Sequence, residues 1–248
     1  MIELSSLIPH EIHPSWKDLL SDEVMNDVMK IETEISDQEF NPTNPRQALR
    51  FLSTDLNHMN IIWLGQDVYP AEGVATGRAF EVGTLHSWTE KFNQNSIQNI
   101  IRVIHKNYFE IEEYKQIKPY TQIRKEIESG QFPILQPKQW FQSLENQGVL
   151  FLNCSFTCKI GKANSHKKIW ESFSNKVLQF VSSRRPDLIW FLWGKEAINK
   201  KVFIQEGQFY ESRHPMLCSE KYENDFLKFN GFKDTGHLVN WLGIQSDK

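Results

Sequence analysis

Hydrophobic positions along the chain fall into two kinds of pattern. Four short runs are apolar without alternation: IIWL (61–64), VLFLN (149–153), LIWFLW (188–193) and, more weakly, QFYES (208–212). A strand with one face in water alternates apolar and polar residues. A run without alternation suits a strand covered on both faces, as in a parallel sheet. Between the runs lie stretches with apolar residues at helical spacing, notably SIQNIIRVIHKNY and WESFSNKVLQFVSSRR. Strand and helix in alternation predict a layered α/β fold.

The N-terminal third reads as helical. WKDLLSDEVMNDVMKIETEI carries one helix ending near Phe40-Asn41-Pro42, and RQALRFLSTD a second, shorter one. Residues 108–138 are charged with scattered apolar positions and read as a peripheral insertion rather than a domain of their own. With no internal repeat and no low-complexity linker, one domain spanning 1–248 is expected, with 1–55 as N-terminal helices.

Each apolar run ends on a residue of chemical use. Gln66 and Asp67 follow the first, Asn153 ends the second, Gly194-Lys195 follow the third and His214 the fourth. In open parallel sheets, ligands bind in the crevice beyond the carboxyl ends of the strands. The pattern therefore aims Asp67, Asn153, Gly194 and His214 at one cleft. An asparagine amide both donates and accepts, so it can read the edge of a planar heterocycle. Phe80 offers a stacking face. A histidine can stabilise charge on a leaving group, and an aspartate can orient water or offset positive charge. Together these suit cleavage of a bond between a sugar and a base. No G-x-S-x-G elbow marks a serine nucleophile, and no H-E-x-x-H or similar spacing marks a metal site, so neither metal nor cofactor is expected.

Composition changes this picture little. Hydrophobic residues make up 40%, with 17 Phe and 8 Trp, enough for a large core. A net charge of −3 announces no strongly basic footprint, although a local patch is compatible with it. Three cysteines, Cys154, Cys158 and Cys218, form no disulfide framework and fit a reducing compartment. The Cys154-x3-Cys158 pair is one thiolate short of a four-cysteine cluster even with Cys218, and reads as buried packing. The opening MIELSSLIPHEIHPSW lacks a basic segment followed by an apolar one, and no apolar stretch approaches the roughly 20 residues of a membrane span. A soluble, cytoplasmic protein without a membrane partner is expected.

Five segments in one order carry a family resemblance. GQDVYPAEGVATGRAF resembles the water-activating loop of the uracil-DNA glycosylase family, typically G-Q-D-P-Y-H before a small-residue stretch ending in Phe. GVLFLNCSFT resembles that family's base-reading strand; GKANSHKKIWESF and WFLWGKEA resemble the segments after it. HPMLCS stands where the family has H-P-S-P-L-S. The resemblance spans roughly residues 14–243. It implies a three-layer α/β/α sandwich around a mainly parallel four-stranded sheet, and a monomeric DNA glycosylase acting on double- or single-stranded DNA that contains the target base.

Residue by residue, the resemblance makes Asp67 the water-positioning carboxylate and His214 the donor to the departing base. Gln66 would touch the base through its backbone, Tyr69 would wall off the pyrimidine C5 position, Phe80 would stack and Asn153 would read the base edge. His166 would orient the Asp67 side of the site from behind. Ser96, Lys195 and Ser219 would face DNA, with Leu217 or Cys218 as the wedge that fills the gap left by the flipped base. The departures lie in loops. Val68 and Pro70 replace the family's Pro and His, NQNSIQN has lost the prolines around Ser96, Lys195 replaces a Ser and Leu217 a Pro. Uracil is the family's default base. Reshaped pocket walls keep open a modified pyrimidine, such as glucosylated hydroxymethylcytosine in phage DNA, with a role in defence rather than repair. A catalytically silent DNA-binding scaffold is the alternative of another class.

Overall fold

The computed structural model describes residues 5–244; residues 1–4 and 245–248, the ends of the expected domain, lie outside the described residues. In chain order the principal elements are α1 (Asp22–Ile35), β1 (Phe40–Asn41), β2 (Ile61–Gly65), α2 (Asn95–Tyr108), α3 (Tyr120–Glu128), α4 (Pro137–Asn146) and β3 (Val149–Asn153). They continue with β4 (Cys158–Lys159), α5 (Lys167–Arg184), β5 (Ile189–Trp193), α6 (Lys195–Asn199), β6 (Gln208–Ser212) and α7 (Gly231–Asp234). The four apolar runs become one parallel sheet in the order β3-β2-β5-β6. Its register sets Gly65 opposite Asn153 and Trp193 opposite Ser212, so the four strands end level at one edge.

Side chains alternate across a strand, and here both faces are covered. Trp63, Phe151 and Phe191 face a layer that includes Ile100 of α2, Ile123 of α3, Trp140 of α4 and Phe232 of α7. Ile62, Leu150 and Trp190 face Val28 of α1 and Phe173 of α5. This is the expected three-layer α/β/α sandwich. Trp63, fully buried at the centre of β2, is its aromatic hub. Its ring lies 5.1 Å from Phe151, 5.0 Å from Trp193, 5.5 Å from Phe232 and 6.3 Å from Phe80. Among the described residues no helix is long and apolar enough to cross a membrane.

Three segments differ from expectation for physical reasons. The first predicted helix begins later, at Asp22, because the Ser21 hydroxyl accepts from the Val24 N–H and caps it there. RQALRFLSTD forms short 3-10 turns instead of an α-helix. Its backbone groups are taken by the N-terminal segment: Leu49 N–H donates to the Leu7 carbonyl, and the Leu52 carbonyl accepts from His13 N–H. Residues 108–138, expected to be peripheral, build part of a layer. Ile117, Tyr120, Ile123, Ile127 and Phe132 are buried in the same core as Trp63, and the Tyr120 hydroxyl donates to the Trp88 carbonyl at 2.8 Å.

Because Trp63 joins the sheet, α4 and Phe80, its truncation opens a cavity that the rigid layers cannot close. Trp63→Ala is expected to cost about 3–5 kcal/mol of stability, read from the urea midpoint at unchanged slope. A loss below about 1 kcal/mol would show that the core is not organised around this ring.

Candidate functional site

The level C-terminal ends of the sheet open onto a cavity of about 380 Å³ whose lining includes Gln66, Asp67, Tyr69, Phe80, Ser96, Asn153, Asn164, Lys195 and His214. A larger cleft of about 970 Å³ lies behind it and shares Ala75 and Arg78. The buried charges of that cleft neutralise one another: Arg78 pairs with Glu81 at 3.1 Å and with Glu145 at 2.5 Å. In the smaller cavity the Asn153 amide stays unpaired among the described residues.

Asn153, at the end of β3, is 2% exposed, and both its Oδ1 and Nδ2 are buried without a hydrogen-bond partner among the described residues. Such an arrangement costs about 1–3 kcal/mol for each unsatisfied group and is rare in a folded core. Gly65 on the neighbouring strand makes room for it. A Cβ at Gly65 would lie 2.4 Å from Asn153 Oδ1 and 2.8 Å from Ala79 Cβ, so no larger residue fits.

Phe80 forms the adjacent wall with φ at 66°, a left-handed backbone that a bulky residue adopts only where its surroundings impose it. Its ring is held edge-on by Trp193 at 5.4 Å and stands 6.4 Å from His214. The Tyr69 hydroxyl donates to the Phe80 carbonyl at 3.4 Å, and burial pushes the Tyr69 phenol above its ordinary pKa.

Asp67 follows β2 and is half-buried. Burial raises its carboxyl above 3.8, opposed by the N–H of Asn164, which donates to Oδ2. The Ser155 hydroxyl and the Val68 N–H also favour its charged form. Asn164 has φ of 60°, tolerated by asparagine better than by most residues, and its Oδ1 accepts from Gln66 Nε2 at 2.7 Å. Asn164 thus holds Asp67 and Gln66 together. The Gln66 carbonyl accepts from Ser155 N–H, which fixes the backbone at the start of this loop.

His214 follows β6. Its Nδ1 accepts from the Met216 N–H at 3.1 Å, which assigns the proton of the neutral ring to Nε2. Burial lowers its pKa below 6.5, so the ring is neutral at pH 7. Gly194, at φ of 88°, allows the close approach: a Cβ there would meet His214 Cβ at 2.9 Å.

Six of the expected residues, Asp67, His214, Gln66, Tyr69, Phe80 and Asn153, line this one cavity together with Ser96 and Lys195. The His214 loop separates the two wedge candidates. Leu217 projects at 67% exposure, while Cys218 turns inward, its thiol donating to the Pro215 carbonyl at 3.6 Å. The Ser219 N–H is bound at 2.6 Å by Asp225, a buried carboxylate that anchors the loop from behind. His166 is fully buried at the start of α5, facing Thr157 Oγ1 at 2.8 Å and Gln38 Oε1 at 2.9 Å, and makes no direct hydrogen bond to Asp67. The neighbour that does is Asn164, two residues earlier.

Sequence reasoning also missed Asn41 and Asn99. Asn41 is fully buried, and its Nδ2 donates to the carbonyls of Tyr69 (3.2 Å), Pro70 (3.0 Å) and Ala71 (2.8 Å), fixing the loop after Asp67. Asn99 on α2 donates to the Pro215 carbonyl at 2.6 Å and ties that helix, which begins beside Ser96, to the His214 loop. Neither leaves a local signal, since both act through contacts distant in sequence.

Comparison with known proteins agrees with this geometry. No family model matches the chain. Among relatives, the uracil-DNA glycosylase of Borrelia turicatae is 30% identical over 235 residues, covering 91% of this chain and 92% of its own. Those of Francisella tularensis and Alkaliphilus oremlandii are 29% and 27% identical, over 89% and 92% of this chain and 91% and 92% of their own. The crystal structure of the enzyme from Nitratifractor salsuginis matches with a TM-score of 0.70 at 18% identity, covering 93% of this chain and 92% of that one. The mimivirus uracil-DNA glycosylase matches with a TM-score of 0.67 at 18% identity, over 96% and 86%. The protein is therefore an enzyme of the DNA glycosylase class. It belongs to the uracil-DNA glycosylase family.

The grip of Asn164 on Asp67 is testable without substrate. Asn164→Gly retains the left-handed backbone and hence the N–H bond, whereas β-branched Asn164→Val resists it. Losing a bond to the charged form raises a carboxyl pKa. The Asp67 titration, followed by carbon NMR, is expected to move further upward in Asn164→Val than in Asn164→Gly. Equal titrations would remove Asn164 from the site.

Proposed function

We propose that this enzyme hydrolyses the N-glycosyl bond of uracil in DNA, leaving an abasic site. The observation that carries the reading is the buried, unpartnered amide of Asn153. Its acceptor and donor complement the N3–H and O4 of uracil, and a base in the cavity would satisfy both.

The target nucleotide must leave the stack, at a cost of a few kcal/mol, and Leu217 is the exposed apolar side chain suited to fill the gap. The base lies against Phe80, with Tyr69 beside C5 and Asn153 on its edge. As the glycosidic bond lengthens, negative charge gathers on the base and positive charge on the sugar. The His214 Nε2–H donates to the base O2 and stabilises the leaving anion without giving up its proton. The Asp67 carboxylate offsets the oxocarbenium-like sugar and orients water for attack at C1′. Lys195, exposed on the rim, suits a backbone phosphate.

One feature favours a second reading, a pyrimidine enlarged at C5 such as glucosylated hydroxymethylcytosine in phage DNA. Ala75 and Arg78 line both the cavity and the larger cleft, so a shift of this wall and Tyr69 that breaks the Arg78 ion pairs would admit a substituent. The Asn153 amide can present either face and so could serve cytosine. Incubation with matched DNAs carrying uracil, cytosine, 5-hydroxymethylcytosine or its glucosylated form, scored by alkaline cleavage, decides between them. Release from the uracil strand alone supports repair. Release only from a modified strand supports defence and overturns the uracil assignment.

Asp67→Asn and His214→Ala are each expected to slow single-turnover release by about 10²–10³-fold, the usual effect of removing a group that acts on transition-state charge. Full activity in Asp67→Asn would overturn the mechanism. Wild-type activity should fall on the acid side as Asp67 protonates above 3.8 and His214 below 6.5.

Stability should move oppositely. A carboxyl raised on folding is penalised once pH exceeds its unfolded pKa, and the penalty is complete above the folded one. Asp67→Asn should therefore raise Tm at pH 7 and lose that advantage below pH 3.8. An unchanged or lower Tm at pH 7 would contradict the burial argument.

A further inference from the structure

We propose that a lysine-rich rim formed by Lys159, Lys162 and Lys168, continuing into Lys195, is the surface that carries the phosphate backbone of DNA past the cavity. The proposal rests on the reading of DNA as substrate and adds where the strand lies.

The segment 159–168, KIGKANSHKK, holds four lysines and no acidic residue in a chain whose net charge is −3. It lies directly at the cavity. Ala163 and Asn164 line the mouth, and Asn164 N–H holds Asp67. Lys167 pairs with Glu196, which brings the start of α5 beside the start of α6 and makes the rim continuous with Lys195. Lys159, Lys162, Lys168 and Lys195 are exposed and form no ion pair among the described residues.

Several lysines elsewhere are neutralised locally: Lys176 lies between Glu23 and Asp27, Lys118 meets Glu126 and Lys201 meets Glu211. Three unpaired lysines within ten residues thus lie on the Asp67 side of the cavity, opposite the exposed Leu217 on the His214 side. A strand whose flipped nucleotide enters between them would rest its phosphates on the lysines. Flexible ammonium groups suit this contact, which needs charge rather than the fixed fork of arginine.

The test measures Kd by fluorescence anisotropy for a roughly 20-base-pair duplex carrying one non-cleavable abasic analogue, between about 50 and 200 mM salt. Each lysine that neutralises a phosphate contributes about 0.9 to the slope of log K against log salt. The triple variant Lys159→Gln/Lys162→Gln/Lys168→Gln should flatten the slope by about 2 to 3, whereas Lys30→Gln on α1 leaves it unchanged. A slope in the triple variant equal to that of wild type overturns the rim. Wild-type base release, assayed separately, reports on the functional reading: release with an unchanged slope overturns the rim alone. Absence of both release and binding overturns the reading beneath it.

Discussion

A buried amide with no partner among the described residues is the constraint around which this molecule is organised. Asn153 can occupy its position only because Gly65 leaves room on the adjacent strand, and the parallel register sets those two residues opposite each other. Two unsatisfied groups at about 1–3 kcal/mol each are a large fraction of a net stability of roughly 5–15 kcal/mol. The aromatic layer around Trp63 offsets that cost, and the same ring stands behind Phe80. Core and site are therefore one construction, in which packing energy sustains an unsatisfied polar edge.

The loops around that edge are held by side-chain hydrogen bonds rather than by the prolines of the family pattern. Asn41 grips the carbonyls of residues 69–71, Asn164 holds Asp67 and Gln66, and Asn99 ties α2 to Pro215. Three asparagines from three distant parts of the chain thus position the two charged ends of the proposed reaction. A loop fixed by hydrogen bonds changes shape more readily than one fixed by proline rings, which bears on how large a base the cavity admits.

The sheet was legible in the sequence because its strands are buried on both faces. IIWL, VLFLN, LIWFLW and QFYES match the observed strands to within a residue at each end. The site was legible because each strand delivers its residue to the same edge. Interactions closed by distant partners were not legible. The 45–53 segment follows its long-range bonds to Leu7 and His13 instead of a helical period. The apolar positions scattered through 108–138 gave no sign of belonging to the Trp63 core. His166 was placed in the right neighbourhood, yet Thr157 and Gln38 absorb both its nitrogens.

The most direct measurement concerns the Asn153 amide itself. With asparagine selectively labelled with nitrogen-15, its side-chain NH2 resonance can be followed while free uracil is added, with adenine as the comparison. An amide awaiting a pyrimidine edge should shift downfield and saturate with uracil, and remain unmoved by adenine. An Asn153 resonance that stays fixed while other cavity signals move with uracil would contradict the claim that this group reads the base.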